Sequence, residues 1–104
     1  MNIQKMMKQA QKMQEQLAQT QAELAERTVE ATAGGGKVTV VASGSGEVVS
    51  IKISPDVVDK DDVEMLEDLI LSGVKLAQEK AKAMMEQEMG KVTGGMGLPP
   101  GLGF

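Results

Sequence analysis

From Ile3 onward, the positions Ile3, Met6, Ala10, Met13, Leu17, Thr20 and Leu24 recur at alternating steps of three and four. That spacing lines one side of a helix and fills the a and d sites of a heptad. No Gly or Pro interrupts residues 3–27, which are rich in Gln, Ala, Met, Lys, Glu and Leu, so local propensity agrees and a helix is expected there. At Thr28 the period falls to two. Val29, Ala31 and Ala33 alternate with Thr28, Glu30 and Thr32, which reads as a strand. Gly34-Gly35-Gly36 supplies a turn, Val38, Val40 and Ala42 continue the apolar face, and Gly44-Ser45-Gly46 turns the chain again. A third strand follows with Val49, Ile51 and Ile53 on the apolar face and Val41 and Val48 left on the other. Two turns this close imply a three-stranded antiparallel meander.

Pro55 ends the sheet, and Asp59 is the expected N-cap of a second helix starting near Lys60, with Asp62 at N3 and Val58 packed on Val63 as a hydrophobic staple. The inward positions expected of that helix are Val63, Leu66, Ile70, Gly73, Ala77 and Met84, flanked by Leu69, Val74 and Ala81, and Gly90 is the expected stop. The remainder is rich in Gly and Pro and is expected to stay disordered without a partner. The fold class is therefore α+β, with one helix-βββ-helix domain over residues 1–90 and a flexible tail over 91–104.

An odd number of strands brings the chain into the sheet at one end and out at the other. The helices are then not expected to run as a simple hairpin; the second must turn back across the sheet while the first projects. A projecting seam needs cover, so Ile3, Met6, Ala10, Met13, Leu17 and Leu24 are the expected interface of a symmetric homodimer. A chain of 104 residues with two long helices also has little left for a self-sufficient core.

Composition narrows the chemistry. Cys and His are absent, which removes disulfides, thiolate and imidazole catalysis and most transition-metal sites. No enzyme, cofactor or small-molecule substrate is expected. The N-terminus lacks the apolar run of a signal peptide and nothing approaches a bilayer span of ~20 apolar residues, so a soluble cytoplasmic protein with no membrane partner is expected.

The net charge of −4 hides a segregated distribution. Residues 1–12 hold Lys5, Lys8 and Lys12 and no acid, a charge of +3, whereas residues 56–68 sum to −6. The three lysines fall at heptad positions c, f and c, away from the seam, with Gln4, Gln9 and Gln11 nearby as further donors to phosphate oxygens. Most charge runs are only solvated faces. Lysines at a helix N-terminus gain nothing from the macrodipole, however, so helix stability does not explain their place.

Other motifs have plainer readings. In helix 2 the spacing of Lys75 to Glu79 and of Lys82 to Glu86 suits intrahelical pairs. Asp59, Asp61, Asp62, Glu64, Glu67 and Asp68 fail the calcium-loop pattern at Val63 and Glu64 and suit the start of a helix instead. Gly36-Lys37 lacks the first Gly and the Ser/Thr of a phosphate loop. On these residues alone a DNA-binding dimer stands beside a prefoldin-like holdase with Met-rich tips, which only two strands would suit, and a coiled-coil adaptor.

The order of Met7-Lys8-Gln9-Ala10-Gln11 with Met13-Gln14-Glu15, of Gly44 to Ile53, of Met65-Leu66-Glu67-Asp68-Leu69-Ile70 and of Gly95-Met96-Gly97-Leu98-Pro99-Pro100-Gly101 resembles the YbaB/EbfC family of bacterial nucleoid-associated proteins. The resemblance covers nearly the whole chain. It implies a tweezer-like homodimer that binds double-stranded DNA, organises the nucleoid and regulates gene expression. It places DNA contacts on the terminal helices, here Lys5, Lys8 and Lys12, with Lys80 and Lys82 in the second helix; Gln9, as a donor beside the stripe, is the further DNA contact expected from the residues themselves. Lys75 stands where relatives often carry Asn.

Overall fold

The computed structural model describes residues 2–95, in the order α1 (Ile3–Glu26), β1 (Thr28–Ala33), β2 (Val38–Ser43), β3 (Val48–Ile53), a 3-10 turn at Pro55–Val57, and α2 (Val63–Gly95). Asn2 caps α1, its side-chain oxygen accepting the Lys5 backbone N–H at 3.2 Å. Arg27 is already extended, so α1 passes into β1 without a loop.

The sheet is antiparallel in the order β1-β2-β3. Gly34, Gly35 and Gly36 take φ of 63°, 65° and 90°, values that L side chains rarely adopt, and they close the first hairpin. Ala31 then lies opposite Val40, and Val40 opposite Ile51. A bulge in β3 sets Val48, not Val49, opposite Ala42. The expected alternation through Val49 therefore fails at the bulge, where one extra residue shifts the register.

Across this sheet α2 buries a core of Ala31, Val38, Val40, Ala42, Val57 and Ala77, with Leu66, Leu69, Ile70 and Val74 packed around it. Gly73 permits the closest approach, because a Cβ there would sit 2.8 Å from Val40 Cγ2. A helix about 10 Å wide spans two strands spaced about 4.8 Å apart, and no more. All six residues of β3 are accordingly exposed. Ile51 and Ile53 remain 40% and 37% exposed although their partners Val40 and Val38 are fully buried.

Three expectations about α2 need correction. It starts at Val63 because Asp62 Oδ1 accepts the Met65 N–H at 3.2 Å, while Asp59 is spent on a local turn, accepting the Asp61 N–H at 2.9 Å. Val58 and Val63 are both exposed, so neither a staple nor an inward Val63 forms. Gly90 does not stop the helix; one interior Gly costs only about 1 kcal/mol against Ala, and α2 runs on to Gly95. Of the expected tail, residues 96–104 lie outside the described residues.

Beyond the sheet the helices meet. Leu24 is 2% exposed, and its carbonyl and the Met84 methyl both border Gly44. From this junction α1 leads back to its N-terminus and α2 onward to Gly95, packed on each other. Met13, Leu17 and Thr20 are half-buried on one side, as are Met84, Met85, Glu88, Met89 and Val92 on the other. The helices thus do pair antiparallel, past the sheet, because α2 outruns the strands it covers. The molecule measures 71 × 24 × 16 Å.

Candidate nucleic-acid interface

At 1.5 Å per residue, α2 extends about 16 Å past Met84 and α1 about 31 Å back from Leu24. The opening turns of α1, roughly residues 3–12, therefore continue as an arm past the last described turn of α2. Lys5, Lys8, Gln9 and Lys12 all lie on this arm and all are exposed. Among the described residues, none of the three lysines is in an ion pair. The acidic segment sits at the opposite end of α2, so the +3 and −6 regions are separated along the length of the molecule. Residues 3–12 of the arm carry no carboxylate of their own, and Glu15, one turn after Lys12, is the first acid along α1.

The seam expected to join two copies divides in two. Ile3, Met6 and Ala10 remain exposed on the arm. Met13 and Leu17 are half-covered, and Leu24 is enclosed within its own chain, leaving it no surface for a partner. Sequence reading missed a second exposed apolar region, the β3 face. One helix over three strands was the signal for it.

The two α2 lysines part company. Lys80 Nζ donates to the Glu30 carbonyl at 2.9 Å and lies on the β1 side of the sheet. Lys82 lines an open notch of about 350 Å³ with Gly44, Ser45, Gly46, Gln78, Met85 and Glu86. Gln78 Nε2 donates to the Gly46 carbonyl at 3.1 Å, holding the β2–β3 turn against α2. Neither lysine joins the arm. Glu86 shares the notch and lowers its appeal to a phosphate.

Among the described residues, no group of His, Cys, Asp and Glu is placed to hold a metal ion, and no helix is long and apolar enough to cross a membrane. The third strand departs from a prefoldin-like hairpin.

Residues 1–96 match the YbaB/EbfC DNA-binding family. The chain is 58% identical over 98 residues to a nucleoid-associated protein of Thermoanaerobacter pseudethanolicus, covering 94% of this chain and 88% of the relative. It is 60% identical over 98 residues to one from Halalkalibacterium halodurans, covering 94% and 95%. The crystal structure of an uncharacterized protein from Helicobacter pylori shares the fold with a TM-score of 0.63 at 19% identity, over 75% of this chain and 90% of that one.

Proposed function

The chain belongs to the YbaB/EbfC DNA-binding family of nucleoid-associated proteins, and from that premise we propose that it binds double-stranded DNA as a homodimer, holding phosphates with Lys5, Lys8 and Lys12. The observation that carries this reading is the arm itself, a helix segment that bears the cationic stripe beyond every described neighbour. Gln9 lies beside the stripe and adds an uncharged donor. Contacts of this kind position a protein on the duplex and read little sequence. Bending or bridging the chromosome in the nucleoid, and altering expression through it, is the role such a grip suits.

The second copy covers the exposed β3 face. Ile51 and Ile53 present apolar side chains on an edge strand, and a two-fold axis would set that strand against its own equivalent. Ile3, Met6 and Ala10 are the parts of the α1 seam still open to the same partner, with Met13 and Leu17 at its margin. Lys82 is a secondary phosphate contact at most, and Lys80 has another occupation.

A dimer brings two stripes, hence about six phosphate contacts and a slope near −5 for log affinity against log salt. Salt titration of binding to several unrelated duplexes tests the reading. The expected result is that slope for each duplex, with affinities alike to within a few-fold; a slope near zero contradicts it.

A further inference from the structure

The sheet has two edges, and they are built differently. The Arg27 carbonyl accepts the Gly44 N–H at 2.9 Å, which fixes the parity of the β1–β2 ladder. Val29, Ala31 and Ala33 turn their main-chain groups toward β2, whereas Thr28, Glu30 and Thr32 turn theirs outward. The middle outward acceptor is the Glu30 carbonyl, and it is the one Lys80 Nζ occupies at 2.9 Å. On the far side the Lys37 carbonyl accepts the Ser54 N–H at 2.7 Å, so Ile51 and Ile53 of β3 turn theirs outward. No described side chain is recorded bonding to those groups.

We propose that Lys80 is a strand-edge lock: it closes β1 to the addition of another strand and leaves β3 as the sheet's open edge. A carbonyl already bonded to an ammonium is a poorer acceptor for an incoming strand, and a lysine stem lying over the edge obstructs the strand itself. The placement of α2 explains why Lys80 can reach. The helix lies over β1 and β2, so a side chain leaning outward from it arrives at the β1 edge and not at β3. The lock gives the protein a directional sheet, in which copies join at one edge and growth beyond a closed pair is blocked. This holds whether or not the arm binds DNA.

Light scattering of the full chain across a concentration series, with circular dichroism as the check on folding, tests the lock in four proteins. Lys80→Gln should raise the weight-average mass about twofold or more over wild type at equal concentration, since the β1 edge becomes available. Lys80→Arg, which still donates, should keep the wild-type mass. Adding Thr32→Pro to Lys80→Gln removes an outward N–H without touching the ladder and should restore the wild-type mass. At dilutions where its mass equals wild type, the duplex salt slope of Lys80→Gln should match wild type; a slope shallower by about two, one contact from each chain of the dimer, marks Lys80 as a phosphate contact and overturns the lock. An unchanged mass for Lys80→Gln, growth that Thr32→Pro fails to reverse, or an unfolded Lys80→Gln chain would each overturn it as well.

Discussion

Gly44 lies directly against the carbonyl of Leu24, so close that a methyl group on Gly44 would overlap the main chain of α1. Its N–H also donates to the Arg27 carbonyl at 2.9 Å. These two contacts seat the end of α1 on the β2–β3 turn and so aim the arm. Gly44→Ala is expected to destabilise the fold by about 3 kcal/mol, because a main chain cannot move aside as a side chain can. Urea unfolding gives the loss, and duplex affinity should fall with it as the arm loses its seat.

Two further glycines in α2 should respond with opposite signs. At Gly73 an added Cβ meets the buried Val40, and Gly73→Ala should cost about 1 kcal/mol after the gain in helix propensity is offset. At Gly90 an added Cβ meets nothing within 4 Å, and Gly90→Ala should stabilise by about 0.5–1 kcal/mol. Urea midpoints at unchanged slope check both. A loss at Gly90 would contradict a helix that runs through it.

The open β3 face makes its own forecast. Ile51→Asp places a charge where a second copy is expected to pack, while Ile51 contributes little to the intrachain core. Light scattering should show the mass of a single chain, with the helix signal retained. Leu17→Asp is the weaker probe, since Leu17 is half-buried between α1 and α2 and a charge there would loosen the arm as well.

Periodicity made most of the architecture readable. The change from steps of three and four to steps of two at Thr28 marks the border of α1 and β1 to within a residue. What escaped the sequence was a matter of competition or of reach. Asp59 and Asp62 are both capable caps, and only the 3-10 turn at Pro55–Val57 and the tight turn after it decide for Asp62. The width of one helix against three strands, and the excess length of α2 over the sheet, decide which apolar surfaces stay bare and which half of the α1 seam is enclosed. Lys5, Lys8 and Lys12 were legible as a stripe, but their place past the last described turn of α2 depends on how far each helix runs from the sheet. Lys80 and Lys82 look alike in sequence, two residues apart, and are sent to opposite sides of the helix.

The most direct measurement is the salt dependence of duplex binding by Lys5→Ala/Lys8→Ala/Lys12→Ala beside wild type, with the mass of each protein checked by light scattering. If the arm holds the phosphates, the mass stays the same while the slope flattens from about −5 toward zero and affinity falls for every duplex alike. An unchanged slope and affinity in a protein of unchanged mass would contradict the account.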